Sequence, residues 1–355
     1  MTDKRFWSER IKCAVPYVPG EQPRDRKFIK LNTNENPYPP SPRALEAARA
    51  AACGDLRLYP DPECLALRGA IARREGLNVE NVFCGNGSDE ILAFAFQAFF
   101  DPGRVIVYPK ITYSFYPVFS DYFGLTRREV PMNPDFSSPA EELLGHNGGV
   151  VLANPNAPTG MAVGLDTVER LLSANPDVVV IVDEAYIDFG GESAAGLIGR
   201  YPNLLVVQTA SKSRALAGLR VGWAMGQPHL TAALRCVRDP INSYTVDRLA
   251  QACAAAAIED EDYFQATCRR VMDTRAWVSG ALKDMGFTVL PSKANFVFVS
   301  HPDRPGRALF DGLRERGILV RRWNIPEIEN WLRVSIGTDE EMKALCGALE
   351  ELTGS

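Results

Sequence analysis

Lys212 stands in T-A-S-K-S-R-A-L-A-G-L-R (209–220), directly after an apolar run, with a serine beside it and an arginine eight residues on. An amine in that setting can form a covalent bond to a carbonyl, or it can simply solvate a surface. The chemistry at the ends of the other apolar runs separates the two readings. R-V-I-V-Y (104–108) leads into P-K-I-T-Y and Tyr113, and G-V-V-L-A (149–153) leads into N-P-N-A-P-T-G. V-V-V-I-V (178–182) leads into Asp183-Glu184-Ala185-Tyr186, and L-L-V-V-Q (204–208) into Thr209-Ala210-Ser211-Lys212. These runs are continuous rather than alternating, which suits strands buried on both faces of a parallel sheet. Ligands of open α/β sheets bind outside the carboxyl ends of the strands. Four strands therefore deliver an aromatic ring, an amide, a carboxylate and an amine to one sheet edge.

A fifth element, C-G-N-G-S-D-E (84–90), opens the apolar helical run I-L-A-F-A-F-Q-A-F-F. Free backbone N–H groups at Ser88 and Asp89 would suit a phosphate at a helix start; alternatively the glycines make the turn and Ser88 caps the helix. Glu90 stands where a dinucleotide fingerprint needs glycine, no G-K-[ST] occurs, and no tyrosine has a lysine four residues later. Nicotinamide chemistry thus lacks its usual support. A lysine, an aspartate, tyrosines and a phosphate cradle together fit pyridoxal phosphate. Lys212 would form the Schiff base and Asp183 would pair with the pyridinium nitrogen. Tyr186 would bond the phenolic oxygen and Tyr113 would stack on the ring. Arg220, Ser211 and the helix start at Ser88–Asp89 would hold the phosphate. Once displaced by substrate, the Lys212 amine can carry a proton between the substrate Cα and the cofactor carbon. Taken singly, Asp183 reads as a turn cap, the tyrosines as packing, and Arg220 and Lys212 as surface cations. Their coincidence at strand ends overturns those readings.

The elements that must position these groups follow from the rest of the chain. Its 355 residues, 46% hydrophobic and 23% charged, fit one large domain and a smaller one. The net charge of −5 with scattered basic residues argues against nucleic-acid binding as the main task. Eight widely spaced cysteines without a C-x-x-C pair read as free thiols of a reducing cytoplasm. None of the three histidines has a metal-like or triad-like neighbour, so no metal is expected. The charged N-terminus is unlike a signal peptide, and no apolar run reaches membrane-spanning length, so no membrane partner is expected. Residues 1–30 read as a proline-rich arm. Residues 31–240 read as a large, doubly wound, mostly parallel α/β domain, with Ser41 and Pro42 starting its first helix. Residues 241–355 read as a smaller α+β domain. It should hold a long helical stretch from about Val246 to Leu282 and strands in F-T-V-L, N-F-V-F-V, I-L-V-R and W-L-R-V-S-I. Helices are expected at 305–316 and 339–352.

These motifs resemble the fold type I pyridoxal-phosphate aminotransferases, and among them most closely the branch acting on histidinol phosphate. The likeness runs nearly end to end, through P-Y-V-P-G-E (16–21), L-N-T-N-E-N-P (31–37), Y-P-D-P (59–62), G-N-G-S-D-E (85–90), N-P-N-A-P-T-G (154–160), V-D-E-A-Y-I-D-F (182–189), S-K-S-R-A-L-A-G-L-R-V-G (211–222) and L-R-V-S-I-G-T (332–338). The resemblance implies transfer of an amino group between L-histidinol phosphate and 2-oxoglutarate, with glutamate as the other amine. Relatives with the same lysine act on aromatic amino acids or decarboxylate threonine phosphate. A non-catalytic regulator of this fold would carry an added DNA-binding module, for which the chain shows no spare N-terminal domain.

By the same resemblance Lys212, Asp183 and Tyr186 are the catalytic set, and Tyr113, Ser88, Asp89, Ser211 and Arg220 complete the cofactor site. Tyr59 matches the tyrosine that reaches the other subunit's cofactor phosphate, which implies a homodimer with a shared site. Arg333 matches the arginine that receives the substrate's carboxylate or phosphate, and Tyr17 an arm tyrosine near the substrate. Two departures stand out. Ala157 replaces an asparagine that bonds the phenolic oxygen, so that bond is lost or comes from Asn156. Ser213-Arg214 is more polar than the pair usual after the lysine, which puts an extra cation beside the cofactor or into solvent.

Overall fold

The computed structural model describes residues 4–8, 11–12, 20–23 and 26–354. A short strand β1 (Ile29–Lys30) is followed by helices α1 (Pro42–Ala51) and α2 (Leu65–Glu75). Ser41 begins α1 as expected, its Oγ accepting the Ala44 N–H at 3.0 Å with Pro42 at the first helical position. Then come β2 (Val82–Gly85), α3 (Gly87–Phe99), β3 (Val105–Pro109), α4 (Phe115–Phe123), β4 (Thr126–Val130), β5 (Val150–Ala153) and α5 (Leu165–Ala174). They are followed by β6 (Val180–Asp183), β7 (Leu204–Thr209), β8 (Gly222–Gly226) and α6 (Pro228–Arg238).

Strands β2 to β8 form one sheet in the order β2-β8-β7-β6-β5-β3-β4. Strand β8 runs against both its neighbours, and the β7-β6-β5-β3-β4 pairings are parallel. Alternate side chains leave this sheet on opposite faces. Val150, Leu152, Val180, Val182, Leu204 and Val206 enter a core with α2 and α5, while Val151, Ile181, Leu205 and Val207 enter another with α3, α4 and α6. Both faces are dry, which is why these strands read as unbroken apolar runs.

The remaining elements are α7 (Arg248–Glu259), α8 (Glu261–Asp284), β9 (Thr288–Val289), β10 (Phe296–Ser300), α9 (Gly306–Glu315), β11 (Ile318–Leu319), β12 (Leu332–Ser335) and α10 (Asp339–Thr353). Antiparallel strands β12-β10-β9 carry a third core with α8, α9 and α10. Core packing crosses the boundary expected at residue 240. The predicted long helix breaks at Asp260, and Val246, Ala250, Cys253, Ala254, Ala257 and Ile258 of its first part pack into the large-sheet core. Residues near 30 shift the other way, since β1 pairs with β11 and Leu31 joins the third core. Among the described residues no helix is long and apolar enough to cross a membrane.

Candidate active site

Strands β3, β5, β6 and β7 are parallel, and each pairs with the next across the middle of the sheet, so their carboxyl ends share one edge. A cavity of about 220 Å³ opens there. Its lining includes Asp183, Tyr186, Ser211, Lys212, Ser88, Asp89, Tyr113, Arg220 and Arg333, and thus nine of the residues singled out from the sequence. Residues 32–34 and Arg321 close the other side.

Asp183, the last residue of β6, is buried. Its Oδ2 accepts a 2.8 Å hydrogen bond from the Tyr116 hydroxyl, and its Oδ1 accepts the Ala185 N–H at 3.2 Å. Burial pushes its pKa up to about 6, against the pull of those two donors. Lys212 Nζ donates to Thr33 O at 3.3 Å and lies 5.7 Å from the centre of the Tyr186 ring. The Tyr186 hydroxyl accepts the Asn34 amide at 3.0 Å. Asn34 adopts φ 54°, and Ser335 Oγ holds both its backbone N–H and its Oδ1. Asn36 donates to the carbonyls of Lys212 at 3.0 Å and Ser213 at 3.3 Å. The segment T-N-E-N thus clamps the lysine loop from above.

At the other end α3 starts with Asn86 flanking it and Gly87 as its first residue. Ser88 and Asp89 therefore lie inside the first turn, where backbone N–H groups lack intrahelical acceptors, and Ser88 is not the cap. The Asp89 carboxylate accepts the Tyr113 hydroxyl at 2.6 Å and Arg220 Nη2 at 3.1 Å. Arg220 has φ 53°, and its guanidinium lies so close over Gly87 that a Cβ there would sit 2.6 Å from Nη2. A Cβ on Gly222 would lie 2.5 Å from the Ser88 nitrogen. Glycine at 222 lets the β8 start and the α3 start approach at backbone distance, and glycine at 87 leaves room for the Arg220 guanidinium.

Not every residue singled out from the sequence lines the cavity. Asn156 does not line the cavity: its amide donates to Ile111 O and Thr159 Oγ1, each at 3.0 Å, and its Oδ1 accepts Thr112 Oγ1 at 2.8 Å. With its donors spent on Ile111 after β3 and on Thr159 of its own loop, it offers nothing to a ring oxygen. Arg214 points neither to cofactor nor to solvent. It is buried, stacked 3.5 Å from the centre of the Phe264 ring, and donates to Ala257 O at 2.7 Å. Ser213 Oγ donates to Asp188 at 2.5 Å. Tyr59 stands outside the cavity of its own chain, 77% exposed and stacked on Tyr244 at 4.6 Å. Tyr17 lies outside the described residues.

Sequence reasoning missed Tyr116, Asn34, Asn36 and Arg321. Arg321 and Arg333 lie on adjacent backbones, joined by Arg321 N–H to Arg333 O at 3.0 Å and Arg333 N–H to Arg321 O at 2.8 Å. The second guanidinium was legible only as part of R-R-W after the I-L-V run.

The donor set fits pyridoxal phosphate. One end of the cavity offers helix-start N–H groups, a hydroxyl and a guanidinium, as a phosphate needs; the floor offers a buried carboxylate and the wall a lysine amine. Comparison with known proteins agrees. The family described as aminotransferase class I and II matches residues 26–349. The histidinol-phosphate aminotransferase of Acinetobacter baumannii (strain SDF) is 51% identical over 350 residues, covering 98% of this chain and 97% of the relative. That of Clostridium acetobutylicum is 52% identical over 347 residues, covering 98% and 99%. The crystal structure of histidinol-phosphate aminotransferase from Sinorhizobium meliloti in complex with pyridoxal-5'-phosphate superposes with a TM-score of 0.90 at 28% identity, covering 99% and 98%. The chain belongs to the class I and II aminotransferases and, within them, to the histidinol-phosphate aminotransferases.

Proposed function

We propose that this chain transfers an amino group between L-histidinol phosphate and 2-oxoglutarate, a step of histidine biosynthesis, using pyridoxal phosphate. The observation that carries the reading is one cavity in which Lys212 and Asp183 face a phosphate-type cradle while Arg321 and Arg333 line another wall. When bound, the cofactor supplies a ring that takes up the electron pair left at the substrate Cα. The backbone N–H groups of Ser88 and Asp89, the Ser211 hydroxyl and Arg220 bind its phosphate. Asp183 keeps a proton on the ring nitrogen, Tyr186 bonds the phenolic oxygen, and Tyr113 packs beside the ring. Lys212 Nζ would take the proton from the substrate Cα and return it at the cofactor's carbon on the far side of the nitrogen. Arg321 and Arg333 receive the phosphate of one substrate and the carboxylate of the other, since a planar guanidinium pairs with either. Residues 33–36 help exclude water above the lysine.

The working unit is proposed to be a homodimer in the cytoplasm, with Tyr59 and the arm residue Tyr17 completing a site. The chain is proposed to divide into an arm, a cofactor domain ending after α7, and a small domain. A half-reaction panel tests the substrate. L-histidinol phosphate is expected to bleach the bound cofactor's visible absorbance faster than phenylalanine, tyrosine or O-phosphothreonine, without release of carbon dioxide. Faster bleaching by an aromatic amino acid, or carbon dioxide from phosphothreonine, would replace the reading.

A further inference from the structure

Tyr116 lies on α4, three residues beyond the cavity-lining Tyr113, and is itself absent from the cavity lining. Its side chain is fully buried, packed on Phe96, Tyr108 and Tyr113. Its hydroxyl has one partner of consequence, Asp183 Oδ2 at 2.8 Å. Burial and the carboxylate beside it hold the phenol far above its usual pKa, so it stays protonated and donates. The other carboxylate oxygen accepts a backbone N–H from Ala185. Asp183 is thus fixed from two directions by donors that stabilise its charged form.

We propose that Tyr116 is a positioning residue that keeps Asp183 ionised and aimed at the cofactor's ring nitrogen. The inference rests on the reading that this cavity takes pyridoxal phosphate. Among the described residues, the titratable and charged groups that share the cavity with Asp183 or bond it are Asp89 from α3, Tyr113 from the loop after β3, Tyr116 from α4, Tyr186 after β6, Lys212 and Arg220 after β7, and Arg321 and Arg333. Desolvation and the Asp89 charge favour the protonated acid, while the Tyr116 and Ala185 bonds favour the carboxylate. A protonated Asp183 cannot pair with a pyridinium. Cofactor binding should therefore weaken as pH falls through the Asp183 pKa, about 6 in the unloaded protein. Removing the Tyr116 hydroxyl raises that pKa, and the weakening should begin at higher pH.

The experiment measures the dissociation constant of pyridoxal phosphate for the dialysed full-length protein, from about pH 5 to about pH 9, in the parent and in Tyr116→Phe. Losing a hydrogen bond to a charged group should move the midpoint up by about one pH unit, so that affinity falls about tenfold near pH 5 but only about twofold near pH 7. The two curves should converge at alkaline pH, where Asp183 is ionised in both. A purely structural role would weaken binding equally at every pH, and parallel or coincident curves would overturn the proposal. Asp183→Asn is expected to lose the pH step that separates the two proteins. If the step persists there, Asp183 is not its source and the proposal fails. Absence of any pyridoxal phosphate binding in the parent would instead sink the cofactor reading, so the two failures are distinct. Phenylalanine keeps the ring packed against its aromatic neighbours, and a melting curve for each protein separates misfolding from the effect sought.

Discussion

Lys212→Ala removes an amine that donates to Thr33 O and lies over the Tyr186 ring. The phosphate cradle and Asp183 stay in place. Turnover with histidinol phosphate is expected to fall by about a thousandfold or more, since no other base in the cavity is placed at the same strand end. Pyridoxal phosphate should still be held noncovalently, measured as cofactor released on denaturation after desalting. Turnover at the parental rate would remove the lysine from the mechanism. Individual residues were legible where their type is unusual for their place, as with a lysine or an aspartate at the end of a buried strand. Tyr116 was not, because F-Y-P-V-F-S-D-Y-F reads as ordinary aromatic packing, and nothing in that pattern marks the one hydroxyl that turns toward Asp183. Arg214 misled for the opposite reason: polarity suggested the cofactor or solvent as its partner, whereas the guanidinium stacks on Phe264 inside the protein.

That arginine matters at the level of elements. The lysine loop after β7, the turn after β6 and helices α2, α7 and α8 meet around it. Arg214 bonds Ala257 O near the end of α7 and stacks on Phe264 of α8, Ser213 bonds Asp188 after β6, and Arg74 of α2 lies 3.6 Å from Asp188. Burial pulls the Arg214 pKa down to about 10, which still leaves it charged at neutral pH. Arg214→Ala would strand a carbonyl and leave a cavity beside Phe264. A loss of about 3 kcal/mol in the unloaded protein is expected, read from urea denaturation. Arg214→Lys should recover little, because an ammonium cannot both stack and donate in the plane. Parental stability for Arg214→Ala would mean these elements are held together elsewhere. Elements were legible in proportion to their burial. Strands β3, β5, β6 and β7 lie between two dry faces and show as unbroken apolar runs. Strand β4, T-R-R-E-V, lies at the sheet edge with charged residues and gives no such run. Strand β8, G-W-A-M-G, is short, ends in glycines and merges with the lysine motif.

At the scale of the whole molecule, apolar side chains are concentrated on the surface around Tyr59. Leu56, Leu58, Tyr59 and Leu65 before and at the start of α2, with Ile241 and Tyr244 after α6, are large apolar side chains more than 40% exposed. Tyr59 and Tyr244 stack, and Arg248 donates to Tyr59 O, so the two segments form one surface. Exposed apolar patches can mark association sites, which supports the proposed two-fold dimer. If Tyr59 of one subunit completes the phosphate site of the other, each site needs Lys212 from one chain and Tyr59 from its partner. Tyr59→Ala and Lys212→Ala homodimers should then both be poorly active. Their heterodimer should hold one doubly defective site and one intact site. After random exchange of equal amounts, half the dimers are mixed and one site in two of those is whole, so activity should return to about a quarter of the parent's. Native mass spectrometry would establish that subunits have exchanged, and turnover would be assayed on the same sample. Exchange without recovery would place Tyr59 outside the shared site, while failure to dimerise would dispose of the apolar surface as an interface.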